Sequence, residues 1–300
     1  MYKQFYHLLN LLLVGCVFLG YARLKQIETR MITMKKMIAI DLDGTTLNEE
    51  SKISERTANT LKRAMEDGHS VVIATGRPYR MSSEFYRELK LTTPMVNFNG
   101  ALVHLPEKHW ENELETSFNR NIVFDIMQEK KNLKLDFIAA EDRDTFFIDD
   151  LSFFDKHMFA SEATADNLLT TDSLRKDPTS VIVRSQPQNL KSVAEELKQQ
   201  YGASVEVNTW GGPNSILEIV AKGIQKAHGL AHIVKVFDMN KEDIIAFGDE
   251  HNDVDMLSYA GWGVAMANGT DQVKEVANDI TSKPNSEDGL ADYLEKYLDL

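Results

Sequence analysis

The chain has 300 residues, with 33 lysines and arginines against 46 aspartates and glutamates, for a formal net charge of -13. Hydrophobic residues at 43% and charged residues at 26% exclude a wholly disordered chain, and an acidic balance without a basic, aromatic-bearing stripe excludes a nucleic-acid surface. The length suffices for one large domain or two moderate ones, and the single cysteine, Cys16, allows no intrachain disulfide and suits a reducing, cytoplasmic compartment.

The first thirty or so residues stand apart. From Leu8 to Ala22 the chain is almost purely apolar, short for a spanning helix of roughly 20 residues but long enough for a signal-peptide core. Leu13-Val14-Gly15-Cys16 resembles a lipoprotein cleavage box, yet apolar residues continue past Cys16. Arg23, Lys25 and Arg30 follow the stretch and only Lys3 precedes it, so an anchor would hold the following domain in the cytoplasm. The preferred reading is a true start at Met31 or Met34, because Met34-Lys35-Lys36 leads directly into an apolar run; residues 1–33 are then an extension, with a membrane anchor as the second reading and secretion as the third.

Met37 to Ile40 reads as a strand buried on both faces and ends in Asp41-Leu42-Asp43-Gly44-Thr45. A helix is expected from Ser54, an N-cap, to Asp67, with Ala58, Leu61, Ala64 and Met65 at helical spacing and Gly68 as a stop. Ser70 to Ala74 gives a second buried strand ending in Thr75-Gly76-Arg77-Pro78, and a helix follows through Met81 to Lys90. Met95 to Phe98 and Ala101 to His104 form a hairpin about the turn signal Asn99-Gly100. Strand, helix, strand, helix points to an α/β fold with a doubly wound, Rossmann-like parallel sheet.

From about Asn112 to Ser215 the style changes. Helices are expected at Asn121 to Glu129 and through Lys198, and strands at Asp136 to Ala139, Thr145 to Ile148, Ser180 to Arg184, Val205 to Asn208 and Ile216 to Val220. This describes an α+β module with its own small sheet, inserted as residues 113–216 into a parallel domain made of 34–112 and 217–300. The parallel pattern then resumes with a helix through Val236, a buried strand Ile244 to Phe247, the run Gly248-Asp249-Glu250-His251-Asn252-Asp253, a helix through Leu257 and a strand Gly263 to Met266.

Two acidic clusters, Asp41 with Asp43 and Asp249 with Asp253, thus each follow a buried strand, at the sheet edge where open α/β sheets bind ligands. If the two strands are neighbours, the four carboxylates converge on a spot that requires a cation, and an all-oxygen ligand set points to Mg²⁺.

Asp41-Leu42-Asp43-Gly44-Thr45, Ala74-Thr75-Gly76-Arg77, Lys226 and Gly248-Asp249 with Asn252-Asp253 resemble, in order and context, the four motifs of the haloacid dehalogenase superfamily. Phe98-Asn99-Gly100-Ala101 and the run from Val264-Ala265-Met266 to Glu287-Asp288-Gly289 resemble the Cof-type phosphatases of that superfamily, in subfamily IIB with its inserted cap. The resemblance spans nearly everything from Met34 onward, although the middle module matches only in position and size.

The resemblance implies Mg²⁺-dependent hydrolysis of a small phosphate monoester. Asp41 would be the nucleophile and Asp43 the acid and base. Mg²⁺ would sit on a carboxylate oxygen of Asp41, the backbone carbonyl of Asp43 and the carboxylate of Asp249, supported by Asp253. Thr75, with Gly76 permitting close approach, Lys226 and Asn252 would hold the phosphate, and Arg77 and Asn99 would help hold substrate or cap. His251 reads as an exposed loop residue, and Trp210 and Arg143 as a core tryptophan and a surface arginine rather than leaving-group contacts. The cap, hinged near Asn112 and Ser215, would exclude water and carry specificity. A phosphomutase with the same core, or a non-catalytic sensor of a phosphorylated metabolite, are the alternatives.

Overall fold

A computed structural model describes residues 35–159, 161–209 and 215–300. The expectations for residues 1–33 and for Trp210 lie outside these. Among the described residues no helix is long and apolar enough to cross a membrane.

Strand β1 (Met37–Ile40) is buried at every position, and a tight turn follows in which the Leu47 amide donates to the Leu42 carbonyl at 2.8 Å. Helix α1 (Glu55–Glu66) is capped by Ser54, whose side chain accepts from the Thr57 amide, and ends at Asp67 as its sequence predicts. Strand β2 (Ser70–Ile73), helix α2 (Tyr79–Glu88) and the hairpin of β3 (Met95–Asn97) and β4 (Leu102–His104) follow. The hairpin turns through Phe98, Asn99 and Gly100, all at positive φ. A third short strand, β5 (Leu114–Glu115), adds to β4 and had no signal in the sequence.

The antiparallel module comprises α3 (Asn121–Glu129), β6 (Leu135–Glu141), β7 (Phe146–Ile148), the one-turn α4 (Lys156–Phe159), β8 (Ser180–Ser185), α5 (Leu190–Tyr201), β9 (Val205–Thr209) and β10 (Ile216–Ala221). The chain then enters α6 (Lys226–Val236), β11 (Ile244–Gly248), α7 (Val254–Tyr259), β12 (Trp262–Ala265), α8 (Asp271–Val276), the two-residue β13 (Asp279–Ile280) and α9 (Gly289–Tyr297). The last three elements lie beyond the final strand expected from sequence.

The parallel sheet runs β13-β12-β11-β1-β2, with Met37 beside Ile244 and Ile40 beside Phe247. Strand β1 is therefore central, and alternate residues feed two cores. Ile38 and Ile40 pack with Leu61 of α1 and Leu290 and Leu294 of α9. Met37 and Ala39 pack with Leu230 and Ile233 of α6 and Met256 and Leu257 of α7. Helices on both faces explain why β1 and β11 read as uninterrupted apolar runs: a polar residue on either face would be buried without a partner. From β1 the chain proceeds to β2 on one side, and from β11 to β12 and β13 on the other, so the crevice between the carboxyl ends of β1 and β11 is the switch point of the sheet.

The second sheet, β7-β6-β8-β10-β9, is antiparallel throughout. One face packs on α3 and α5 through Val123, Ile126, Val193 and Leu197 against Leu217 and Ile219. By the two-residue period Glu218 faces the other way, on the side of Ile216 and Ile182. Strand β10 crosses the boundary expected between residues 216 and 217 and lies wholly within this sheet.

Candidate active site

The crevice is built by the two turns that leave β1 and β11. The Asp41 amide still donates to the Phe247 carbonyl at 3.1 Å, which locks the first acidic turn against the second strand. Gly44 has φ +72°, and a Cβ at that position would lie 2.1 Å from Asp249 Oδ2. Only glycine satisfies both demands, the conformation and the close approach of the second acidic loop. Thr45 Oγ1 donates to Asp249 Oδ1 at 2.8 Å, Thr46 Oγ1 to the Asp41 carbonyl at 2.5 Å, and Asn268 Nδ2 to the Gly44 carbonyl at 2.8 Å.

Asp41, Asp249 and Asp253 converge as the sequence suggests, each offering an oxygen within 4.8 Å of the others. Lys226, the first residue of α6 and completely buried, places Nζ 2.5 Å from Asp41 Oδ1 and 2.7 Å from Asp253 Oδ1. Asp253 Oδ2 in turn accepts from the Asp249 and Glu250 amides at 3.0 and 3.1 Å. Asp253 therefore orders the second loop and holds the lysine.

One lysine does not balance three carboxylates. Burial, reinforced by the charges of Asp253, Asp249 and Asp43 and opposed by Lys226, holds the Asp41 carboxyl well above the usual carboxylate range. Burial and the adjacent Asp253 charge push Asp249 up to about 7. Burial alone would lower the Lys226 ammonium, and Asp253 and Asp41 overcome it and raise it. An excess of negative charge among oxygen-only donors fits a hard divalent cation.

Asp43 is separate from this group. Its carboxylate points away and is gripped by the Arg77 guanidinium, Nε to Oδ2 at 2.7 Å and Nη2 to Oδ1 at 2.5 Å. A metal role for Asp43 is thus open to its backbone carbonyl, as expected, and its side chain is left to other work. Thr75, past the end of β2, is buried; its amide donates to Val96 and its Oγ1 accepts from the Arg77 amide at 3.1 Å.

Asn99 has φ +52° and ψ +30°, a conformation asparagine tolerates better than most residues. A Cβ on Gly76 would lie 3.0 Å from Asn99 Nδ2, so the glycine makes room for that amide. Asn99 Oδ1 accepts from Asn252 Nδ2 at 3.0 Å, while its Nδ2 donates to Glu218 Oε2 at 2.5 Å. A continuous chain of hydrogen bonds therefore runs from the second acidic loop to the antiparallel module.

Glu218 escaped the sequence reading. It is 2% exposed, and Oε1 also accepts from Ser180 Oγ at 3.2 Å. The signal available was a single carboxylate inside Ile216-Leu217-Glu218-Ile219-Val220, which the period-two rule sends to one face of a strand otherwise wholly apolar. Arg80 also escaped notice. Its Nη2 lies 2.5 Å from Glu141 of β6, and its Nε donates to the Phe159 carbonyl at 2.7 Å, tying α2 to the module. Arg143 pairs with Glu113 at 2.7 Å and is half-buried rather than on the open surface. His251 is half-buried rather than exposed.

Burial pushes the Glu218 carboxyl up to about 7, against the hydrogen bonds from Asn99 and Ser180. An unfolded glutamate titrates near 4.5, so between that pH and about 7 the folded chain retains a proton the unfolded chain has lost. The associated loss of stability is absent below the lower value, grows as pH rises and is complete above the upper one. Glu218→Gln removes it, so the stability of the variant relative to wild type should rise by about 2–3 kcal/mol between pH ~5 and ~8. Thermal unfolding at both pH values checks this, and a difference that does not change with pH removes the assignment.

Asp41, Asp43, Thr75, Gly76, Arg77, Asn99, Asp249 and Asn252 all line one cavity of about 570 Å³, completed by Asp155, Met158, Asn208, Thr209 and Glu218 from the module. The volume suits a small metabolite.

Comparison with known proteins identifies the family. A family model described as haloacid dehalogenase-like hydrolase matches residues 38–294. The chain is 39% identical to a 5-amino-6-(5-phospho-D-ribitylamino)uracil phosphatase of Bacillus subtilis (strain 168), over 90% of this chain and 100% of the relative. It is 29% identical to a pyridoxal phosphate phosphatase of Escherichia coli (strain K12), over 88% of this chain and 98% of that one. A crystal structure of a haloacid dehalogenase-like hydrolase from Bacteroides thetaiotaomicron superposes with TM-score 0.75 at 28% identity, covering 88% of this chain and 99% of the other.

Proposed function

We propose, from the premise that the chain belongs to the haloacid dehalogenase-like hydrolases and is a phosphatase acting on small phosphorylated metabolites, that it hydrolyses a phosphate monoester through an aspartyl-phosphate on Asp41. The observation that carries the reading is the convergence of Asp41, Asp249, Asp253 and Lys226 at the sheet edge, with the Asp43 carboxylate held outside that group by Arg77.

In the first step a carboxylate oxygen of Asp41 attacks phosphorus, and the P–O bond to the leaving alcohol breaks in line with it. Lys226 supplies a compact positive charge beside Asp41 to the phosphoryl oxygens, and Thr75 Oγ1 and Asn252 Nδ2 supply hydrogen bonds. Asp43 in its acid form gives a proton to the departing oxygen and then takes one from the water that attacks the aspartyl-phosphate, a contribution of about 10²–10⁴-fold. In the structure Arg77 holds the Asp43 carboxylate in two hydrogen bonds and so keeps it clear of the Asp41, Asp249 and Asp253 cluster.

Mg²⁺, on Asp41, the Asp43 carbonyl and Asp249 with Asp253 behind them, would when bound neutralise the nucleophile and the phosphoryl oxygens. Removing divalent metal with a chelator should stop phosphate release, and adding Mg²⁺ back should restore it; indifference to the chelator sinks the metal assignment.

The parallel sheet and its helices serve as the catalytic core and the antiparallel module as an inserted cap that excludes water during the reaction. Because β10 belongs to the antiparallel sheet, we draw the return to the core after Ala221 rather than at residue 217, which moves the second hinge from Ser215 to the crossing at Lys222 and Gly223, where Gly223 has φ +80°; the first stays near Asn112.

The B. subtilis relative makes 5-amino-6-(5-phospho-D-ribitylamino)uracil the first substrate to assay. Phosphate release from that compound, pyridoxal phosphate and a panel of sugar phosphates, by wild type beside Asp41→Asn, tests the reading. No metal-dependent release from any of them would favour a mutase or a sensor.

A further inference from the structure

The chemistry at the far end of the cavity differs from that at the phosphate end. Toward the module its walls carry the carboxylates Asp155 and Glu218, the amide of Asn208 and the thioether of Met158; Met81 of α2 also lines the cavity, and Glu250 lines it from the second acidic loop, beside Asp249. Among the described residues that line the cavity, Arg77 is the one cationic side chain, and both its Nε and its Nη2 are committed to Asp43. Lys226 is not among the lining residues; it is fully buried and engaged by Asp41 and Asp253. Residues 210–214, Trp-Gly-Gly-Pro-Asn, which follow Thr209 in sequence, include no charged residue.

We infer that the cavity selects phosphate monoesters whose leaving group is neutral or cationic and rich in hydrogen-bond donors, and rejects those bearing a second phosphate or a carboxylate. The inference rests on the phosphatase reading for the orientation of the substrate, with its phosphate at Asp41. A leaving group with hydroxyl, amine or amide donors meets carboxylate and amide acceptors, of which Glu218 is already fixed. Glu218 is held by Asn99 and Ser180, so its orientation costs no ordering when substrate arrives. Protonated or ionised, it brings no positive charge. The two thioethers offer a polarizable surface against which a ring can lie. Among the described residues that line the cavity, an anionic leaving group finds no uncommitted cation, and it faces at least one like charge. Such an unpaired, desolvated charge is a strong means of discrimination. The same argument counts against a phosphomutase, whose bisphosphate intermediate needs cations at both ends of the cavity.

The test uses three compounds on one ring: glucose 6-phosphate, glucosamine 6-phosphate with its ammonium, and glucose 1,6-bisphosphate with its second phosphate. Each is measured as a competitive inhibitor of metal-dependent p-nitrophenyl phosphate hydrolysis, so a compound that turns over slowly still reports its binding. We expect the bisphosphate to bind at least ~10-fold more weakly than glucose 6-phosphate and glucosamine 6-phosphate to bind as well or better. Asp155→Asn, at an exposed position, should narrow the gap about threefold, and Asp155→Asn with Glu218→Gln should narrow it further. Equal or tighter binding of the bisphosphate overturns the inference, as does a gap unchanged in both variants. If p-nitrophenyl phosphate is not hydrolysed at all, the phosphatase reading is what fails. Calorimetric titration of the same three compounds then still reads the charge selection, with the same expected order.

Discussion

An Asp41→Asn variant should fold normally and release phosphate at least about 10⁴-fold more slowly than wild type. Asparagine has the shape of aspartate but no nucleophilic oxygen, so the covalent step has no route. The fold should not suffer, because Asp41 is buried with its carboxyl held well above the usual range, and a neutral amide relieves that crowding. Lys226 keeps its other partner, Asp253, 2.7 Å away. We therefore expect the midpoint of thermal unfolding to be unchanged or raised. Activity and stability moving in opposite directions separate a nucleophile from a structural carboxylate. Turnover of Asp41→Asn within tenfold of wild type would remove the nucleophile assignment and leave the sensor reading standing.

Much of this site could be read before any coordinates, for identifiable reasons. Strands β1 and β11 lie in the middle of a sheet covered by helices on both faces, so each was an uninterrupted apolar run, and the carboxylates that closed them had nowhere to sit but the sheet edge. The helix from Ser54 was legible because its cap, apolar stripe and terminal glycine agree. What could not be read depended on which way a side chain turns. The separation of Asp43 from Asp41 follows from the backbone at Asp43 and Gly44, where ψ is 126° and φ is +72°, and no spacing rule encodes it. Glu218 and Arg80 matter through partners 119 and 61 positions away in the chain, Asn99 and Glu141, and alone each resembles an ordinary surface charge. The β13 strand is two exposed residues on a sheet edge, too short to carry a period.

Lys226 is where the largest combined effect on stability and rate is expected. The side chain is fully buried, its ammonium sits between two carboxylates at 2.5 and 2.7 Å, and it begins helix α6 so that the Asp41 and Asp253 loops are joined through it. Lys226→Met retains most of the volume and deletes the charge. Two buried carboxylates then face each other without a counter-ion, a loss of about 3–5 kcal/mol. The phosphoryl oxygens lose a positive charge as well, worth about 10²–10³ in kcat. Lys226→Arg should not rescue turnover, because a planar fork cannot replace a compact ammonium in a site closed on all sides. The two losses are separable. Adding Asp253→Asn to Lys226→Met removes one of the stranded charges, so the double variant should regain stability relative to Lys226→Met while its turnover stays low. Unfolding midpoints and kcat for the single and double variants decide the matter. If Lys226→Met turns over within about threefold of wild type, Lys226 acts only as a structural tie between the two acidic loops.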